Sequence, residues 1–458
     1  MPGWSDKGQL RIVVAAGAVS AVLSVLATLL AIGYVRQKSL REAAQKESLR
    51  ANEAAVRARD AANRGTRARD DAEELARFLL DDLRDELDMI GRSDLLVAAA
   101  SKTVAYFDSL PPELVTPESQ AKRASVLITL SQARYQQGDH DGAIAAIRRA
   151  IELRKELAAA GDADGRRTVL LGRALGELGL YQNQDGQHDA ARATFLEILR
   201  LYETPPRNGA DDGWWHHGRA KAQLGLGEVE RLKKNHSAAR FAYAQAITNI
   251  TLALARQPEE ISFLMTLMTA HNNIGVACLH LDSLDEAEAS LRRALEPNRA
   301  LVRLEPKTRR WDKELATTLL NLGSMLHKRK DYARAEPILS EALALRQGIV
   351  AWDPKNTRWM RQLAHAWHRM AVFQFDKGDA TNALASGQNA LATQRRLLVV
   401  EPDDKRALDE IQEYAGKYRD RLNEAGMTNA AGQVFRESIA FSEAYRSGKS
   451  GVQTLGRP

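Results

Sequence analysis

The sequence has a single cysteine, Cys278, among its 458 residues. One cysteine excludes an intramolecular disulfide and a zinc site built from several cysteines. The sequence also lacks a phosphate-binding loop, an H-E-x-x-H zinc helix, a G-x-S-x-G nucleophile elbow and the motif set of protein kinases. We therefore predict that the chain is not an enzyme and that it binds no cofactor and no metal.

The net charge of +6 is a poor indicator of nucleic-acid binding, because the charge is concentrated in one segment. Residues 36–69 contain ten Lys or Arg and four Asp or Glu, whereas residues 70–90 contain two Arg and nine Asp or Glu. A nucleic-acid site is typically a basic patch on a folded domain. We therefore predict no nucleic-acid partner.

The most informative feature of the sequence is a repeat of fixed length. A period of roughly 20 to 50 residues is typical of a repeat array rather than of a compact enzyme. One alanine recurs every 48 residues, at Ala143, Ala191, Ala239, Ala287, Ala335, Ala383 and Ala431.

Each unit is predicted to be a helix, a turn and a second helix, because its apolar residues recur at helical spacing. Turns such as Gln137-Gly138-Asp139 combine a glycine that can end one helix with an Asp that can cap the next. In the first helix a large apolar residue precedes a small one, which would let the two helices approach closely. These pairs are Leu130-Ser131, Leu178-Gly179, Leu226-Gly227, Ile274-Gly275, Leu322-Gly323 and Met370-Ala371.

The links between units carry a second pattern. Proline cannot continue a helix, so prolines in register mark where one unit stops. They are Pro258, Pro306, Pro354 and Pro402. Aromatic residues follow in register and are predicted to wedge the start of one unit against the end of the previous one: Trp215, Phe263, Trp311 and Trp359.

These residues resemble the tetratricopeptide repeat in a long-helix form. The resemblance is carried by the run 319–323, by 331–337, and by Asp353, Pro354, Asn356 and Trp359 between units, and it covers 117–446. The 48-residue form is similar to arrays in large bacterial signalling proteins. The resemblance implies an all-α fold, a right-handed α-solenoid of about seven helix-turn-helix repeats. It does not imply one function, because this fold serves many partners.

An uncharged stretch precedes the array. Residues 12–35, after a tail at 1–11, would form a helix of about 36 Å, enough to cross a bilayer core of about 30 Å. We predict a single-pass transmembrane helix. A cleaved signal peptide is the alternative, disfavoured by the length and by bulky Tyr34 and Val35 where small residues are needed.

The flanking charges predict the orientation of the span. Five Lys or Arg lie in 36–50 and two lie before the span, which favours an array in the cytoplasm at a bacterial inner membrane. A periplasmic array is the alternative, with these cations on lipid headgroups. Small residues at four-residue spacing allow a homodimer through the span: Ala16, Ser20, Ser24 and Thr28.

The remaining segments complete the predicted organisation. Residues 36–69 are rich in Ala, Arg and Glu and are predicted to form a basic helical stalk. Residues 70–116 are predicted to form a helical hairpin that caps the first repeat. The array follows at 117–446, and 447–458 are predicted to be a flexible tail.

The resemblance implies that a peptide lies on the concave face built from the first helix of each unit. Asn side chains can bond a peptide backbone as donor and acceptor, and Arg can pair with a carboxylate. Val276 and Ser324 stand where chaperone-binding members carry a second Asn, which weighs against a C-terminal carboxylate as the ligand. The alternatives are a generic peptide and polar side chains that are merely solvated. The candidate groove residues are Lys221, Asn272, Asn273, Asn321, His327, His365, His368 and Arg369.

The histidines are not predicted to bind metal. His140, His188 and His236 occupy one turn position of three successive repeats, so their even spacing follows from the register. His365 and His368 share a helical face, but two imidazoles without further ligands make a poor site.

The sequence therefore predicts a membrane-anchored scaffold that binds a protein or peptide partner without turnover. The alternative is a stand-alone sensor for a separately encoded bacterial signalling enzyme, such as a kinase, a cyclase or a signalling ATPase.

Overall fold

The computed structural model describes residues 24, 26, 28–57, 59–60, 74, 93–162, 164–205, 212–306 and 309–447. The chain divides into two compact units, Met1–Ala76 and Arg77–Pro458.

The first unit is helical over 28–57, and its described side chains are exposed. Ion pairs join successive turns, from Lys38 to Glu42 at 4.0 Å and from Arg57 to Glu53 at 3.1 Å. Among the residues described, no helix is long and apolar enough to cross a membrane. The predicted tail at 1–11, much of the predicted span and residues 61–69 of the stalk lie outside the described residues.

The second unit is helical in its described part. Helix α1 (Ser93–Asp108) and a short 3₁₀ turn (Pro112–Leu114) precede seven helical hairpins. The first helices of the hairpins are α2 (Pro117–Gln136), α4 (Arg166–Gln184), α6 (Asp212–Leu232), α8 (Ile261–His280), α10 (Arg310–Lys328), α12 (Thr357–Lys377) and α14 (Lys405–Glu424). The second helices are α3 (His140–Ala159), α5 (His188–Leu201), α7 (His236–Leu254), α9 (Leu284–Leu304), α11 (Tyr332–Trp352), α13 (Ala380–Val400) and α15 (Thr428–Arg446).

Helix α1 begins the packed core of this unit. Leu96, Val104 and Phe107 are buried in one cluster with α2 and α3. The carboxylate of Asp108 pairs with Arg123 of α2 and, at 3.2 Å, with Arg149 of α3. Helix α1 lies where the second helix of the predicted capping hairpin was expected, and residues 70–92, apart from residue 74, lie outside the described residues.

The turn inside every hairpin has one residue in the left-handed conformation, always at the same repeat position. This conformation costs an L-residue roughly 1–2 kcal/mol, whereas glycine adopts it freely. The turns that the sequence predicts from glycine have this conformation. Three further turns adopt it with a residue other than glycine. The left-handed residues are Gly138, Gly186, Lys234, Asp282, Lys330, Gly378 and Gly426.

The links between hairpins also follow the predicted pattern. Trp215, Phe263 and Trp311 are buried at the start of first helices. The indole N–H of Trp215 donates to the carbonyl of Tyr202 at 3.1 Å, and that of Trp311 donates to Oε2 of Glu305 at 2.7 Å. Each indole thereby ties the start of a hairpin to the end of the previous one.

Inside the hairpins, a small residue of the first helix faces a large side chain of the second helix. A Cβ atom added at the small position would overlap that side chain, so only glycine allows the observed approach. The pairs are Gly179 with Phe195, Gly227 with Tyr243, Gly275 with Leu291 and Gly323 with Leu339. In the sixth hairpin the second helix carries Gly387, which faces Tyr418 of α14 instead.

We predict that Gly323→Leu destabilises the second unit by about 1–3 kcal/mol or more, because the new side chain must displace Leu339. Thermal and urea unfolding would measure the loss. Gly348→Leu is the control, since no atom lies within 4 Å of the Cβ position of Gly348 in α11. Equal unfolding of Gly323→Leu and the parent protein would contradict the observed packing.

Candidate functional site

Residues three or four apart in sequence lie above one another on the same face of a helix. Such a set of residues forms one face of each first helix. We call the surface made by these repeat positions the first-helix face. On α4 it consists of Val169, Arg173, Gly176 and Leu180. On α6 the same repeat positions hold His217, Lys221, Leu224 and Glu228, and on α8 Thr269 continues the face. We include in it Asn273, four residues after Thr269, with its repeat equivalents Asn321 and Arg369.

A pocket of about 400 Å³ opens in this face between α4 and α6, with α5 behind it. This volume lies within the range of small-molecule sites, roughly 300–1,000 Å³. The pocket depends on Gly176, because no atom lies within 4 Å of its Cβ position. Leu224 and Leu320 place large side chains at the same repeat position of the third and fifth hairpins.

Two aromatic rings from the second hairpin form the back wall of the pocket. The rings approach the first helices so closely that a Cβ atom on either side would overlap them. Phe195 lies between Gly179 and Gly225, and Tyr202 lies between Gly172 and Gly218.

Tyr202 is held in place by hydrogen bonds at both ends. Its hydroxyl donates to the carbonyl of Val169 at 3.1 Å, and its own carbonyl accepts from Arg219 at 2.7 Å and from Trp215. The residue is fully buried. Burial raises the pKa of Tyr202 far above the ordinary value, so the wall is uncharged.

The charged groups at the pocket differ in whether they already have a hydrogen-bond or ion-pair partner. The carboxylate of Glu228 accepts from Arg231 at 2.9 Å and from the hydroxyl of Tyr243 at 3.2 Å. In contrast, Arg173 and Lys221 make no ion pair or hydrogen bond with any described residue. Among the described lining residues, the pocket therefore carries two available cations and one carboxylate, Glu228, which is already paired.

His217 is a buried wall residue that stays neutral. The Thr266 hydroxyl donates to the carbonyl of Ser262 at 2.8 Å, so it accepts from Nε2 of His217 at 2.9 Å. Burial lowers the pKa of His217 to about 3, and the charges of Lys221 and Arg173 contribute to this shift.

The predicted groove residues all occur on first helices, but the structure brings only two of them to the pocket, Lys221 and Asn273. The others lie further along the array and bond to neighbouring hairpins. Nδ2 of Asn321 donates to Oδ1 of Asn272 at 3.0 Å. Nη1 of Arg369 donates to Ser324 at 2.9 Å, so Ser324 acts as a partner of this arginine.

The three predicted groove histidines also have partners one hairpin away. Their partners lie 49 or 50 residues further along the chain, one or two positions beyond the repeat equivalent. His327 bonds Asp376 at 2.9 Å, His365 bonds the hydroxyl of Tyr414 at 2.8 Å, and His368 bonds the hydroxyl of Tyr418 at 2.8 Å.

The sequence analysis did not identify the residues that build the pocket. Their signal was an excess of glycine in two consecutive first helices, beyond the one small position that every repeat shares. These additional glycines are Gly172 and Gly176 in α4 and Gly218 and Gly225 in α6.

The evenly spaced histidines begin three second helices in succession. Nδ1 of His140 lies 2.7 Å from Asp185, and the ring of His236 stacks on His280 with centroids 4.3 Å apart. Within the described ranges, no group of three or more His, Cys, Asp or Glu side chains is arranged to hold a metal ion.

Family models of the tetratricopeptide repeat match residues 124–157, 269–300 and 315–350. Each matched stretch joins the first and second helices of one hairpin: the first, the fourth and the fifth. The chain therefore contains tetratricopeptide repeats, a fold that serves protein–protein interaction. Most residues that line the pocket lie between the matched residues 124–157 and 269–300, outside both matches. No curated protein matches the chain.

Solved structures similar to the chain share few identical residues with it. BtubC of P. vanneervenii is 20% identical over 56% of this chain and 92% of its own, with a TM-score of 0.45. A thermophilic TPR protein of Thermus thermophilus is 18% identical over 53% and 98%, with a TM-score of 0.32. YrrB, a TPR protein with an unusual peptide-binding site, is 18% identical over 58% and 97%, with a TM-score of 0.28.

We predict that His217 makes the second unit less stable in acid. The unfolded imidazole titrates near 6.5 and the folded one near 3, so the unfolded state alone takes up a proton between these values. Stability attributable to His217 is therefore lost as pH falls below about 6.5, by about 2 kcal/mol between pH 7.5 and pH 5.

His217→Gln keeps a donor for Thr266 and removes this titration. Urea unfolding at pH 7.5 and pH 5 should show that the variant loses about 2 kcal/mol less than the parent protein over that interval. An equal loss in both proteins would show that His217 is accessible to protons in the folded state.

Proposed function

We propose that this chain is a non-catalytic scaffold that binds a protein or peptide partner along the first-helix face. The supporting observation is that the first helices of successive hairpins lie side by side, joined by hydrogen bonds 49 or 50 residues apart. Their polar side chains consequently follow one another along a single surface, as an extended peptide requires.

The chemistry of this face suits a peptide backbone. Asn273 makes no side-chain hydrogen bond with a described residue, so its amide can both donate to and accept from a ligand. Asn321 uses one donor on Asn272 and retains its carbonyl oxygen. A partner that engages Arg369 must replace the bond to Ser324, which lowers the net gain from that contact.

We propose that residues 12–35 tether the scaffold to a bacterial inner membrane, with the array in the cytoplasm. The support is the uncharged length of this segment and the five cations that follow it. A tethered array raises the effective concentration of its partner at the membrane surface. Dimerisation through the small-residue face of the segment belongs to the same proposal.

A second function, a sensor for a separately encoded signalling enzyme, is favoured by one observation. The pocket between α4 and α6 has the volume of a small-molecule site rather than of an open groove. In such a sensor, a small ligand in the second and third hairpins would bias the stacking of the array that the enzyme contacts.

We predict that a partner lies on the first-helix face. A photo-crosslinking residue at position 321, in the full chain within the cells that make it, should yield a specific adduct identifiable by mass spectrometry. The same residue at position 241 is the control, because Phe241 is exposed on the second helix α7. Adding Asn273→Ala and Arg369→Ala should abolish the adduct.

Adducts from position 241 alone would place the partner on another surface. Adducts from neither position would contradict a scaffold that acts through this face.

We predict that the C-terminus lies in the cytoplasm. A C-terminal fusion to alkaline phosphatase, which is active only outside the cytoplasm, should be inactive, and a fusion to green fluorescent protein should fluoresce and sediment with membranes. An active phosphatase would assign the array to the periplasm, and fluorescence in the soluble fraction would refute the tether.

A further inference from the structure

We propose that the pocket between α4 and α6 binds a small organic acid, an aromatic or branched apolar body that carries one carboxylate. The carboxylate would lie at Arg173 and Lys221, and the apolar body would pack between Val169, Leu180 and Leu224. This inference does not depend on whether the first-helix face binds a peptide.

The walls of the pocket define the apolar part of the ligand. Val169 and Leu180 of α4 face Leu224 of α6 across the space, and Phe195 and Ile198 close it from behind. Ligand sites are commonly apolar cavities with a few polar groups that fix orientation. The space available, about 400 Å³, is sufficient for an aromatic ring or a branched alkyl group.

The charges define the polar part. Arg173 and Lys221 occupy the same repeat position on the two walls, and both line the pocket without an ion pair to a described residue. Glu228, the remaining charged lining residue, is already bonded to Arg231 and Tyr243. An anion therefore finds two available partners, one of them a guanidinium that can bind a carboxylate in bidentate fashion.

The buried wall of the pocket adds no charge that would oppose this pairing. The Tyr202 wall is fully buried and uncharged, and His217 is buried beside the two cations. Burial and these cations lower the pKa of His217 to about 3, so the imidazole adds no charge of its own. Arg173 and Lys221 are themselves exposed, so a ligand would bury its apolar body in the pocket and present its carboxylate to the two cations at the surface.

Two of the seven hairpins have glycine at the repeat position that opens the pocket. Gly176 leaves space where other hairpins carry Leu224, Asn272, Leu320 or His368. Gly416 of α14 stands at the same repeat position, and it also has no atom within 4 Å of its Cβ position. The chain thus contains its own matched control: one open glycine at the pocket and one far from it.

The test measures binding directly with defined probes. The full chain in lipid nanodiscs would be titrated with 3-phenylpropionate, indole-3-acetate and 4-methylpentanoate by saturation-transfer NMR, with empty nanodiscs as the blank. 3-Phenylpropanamide has the same body as the first acid and no charge. A hexapeptide that ends in phenylalanine distinguishes a peptide terminus from a free acid.

We expect at least one acid to bind, and its neutral amide to bind about tenfold more weakly or not at all. Gly176→Leu fills the space and should weaken binding by at least about tenfold, whereas Gly416→Leu should bind like the parent protein. Arg173→Gln with Lys221→Gln should cause a similar loss, because both charged partners are removed.

Gly176→Leu places its side chain in open space, and leucine favours a helix over glycine, so its thermal stability should equal or exceed that of the parent protein. Binding of none of the acids at millimolar concentration would overturn the proposal. So would equal binding of acid and amide, equal losses in both glycine variants, or binding of the peptide alone.

Discussion

The structure depends on how closely the two helices of each hairpin approach. A glycine on the first helix receives a large side chain of the second helix, as with Gly275 and Leu291 or Gly323 and Leu339, and any Cβ atom between them would overlap. Because this pair recurs at the 48-residue step in the second to fifth hairpins, the two helices of these hairpins approach in the same way and the hairpins can stack in one register. An array stabilised by contacts between neighbours requires this uniformity, since each hairpin is the template for the next.

A second repeat position varies in residue type, although the spacing of the helices is kept. The position seven residues after this second-helix residue is buried in every hairpin, yet it holds six different residue types: Arg154, Tyr202, Ile250, Asn298, Arg346, Gln394 and Ser442. Several polar members are bonded by side chains of adjacent first helices. Arg346, for example, donates to Thr317 at 2.6 Å and to Gln362. A buried polar group is costly without its partner, so each such bond disfavours stacking of these hairpins in any other order.

The sequence predicted the features that repeat and missed the feature that does not. Turns, proline breaks, wedging aromatics and the small position all recur at the 48-residue step, so several copies support each prediction. The pocket combines the side chain absent at Gly176 with two rings held between glycines, a combination that the 48-residue step does not repeat. Such a space has no period. The repeat register correctly predicts that the groove residues lie on first helices. Their hydrogen bonds to residues 49 or 50 positions further along depend on how far neighbouring first helices are shifted against each other, and only the three-dimensional structure shows this offset.

That offset divides the first-helix face into two chemically different parts. Towards the C-terminus the polar groups bond one another across hairpins, as with Asn272 and Asn321 or His368 and Tyr418, so a ligand there exchanges existing hydrogen bonds for new ones. Around α4 and α6 the cations of Arg173 and Lys221 have no described partner and flank a cavity lined by apolar side chains. A ligand there gains apolar contact and charge pairing without breaking a bond between hairpins. The second and third hairpins therefore offer a ligand apolar surface and two cations without a described partner, although the repeat pattern treats all seven hairpins as equivalent.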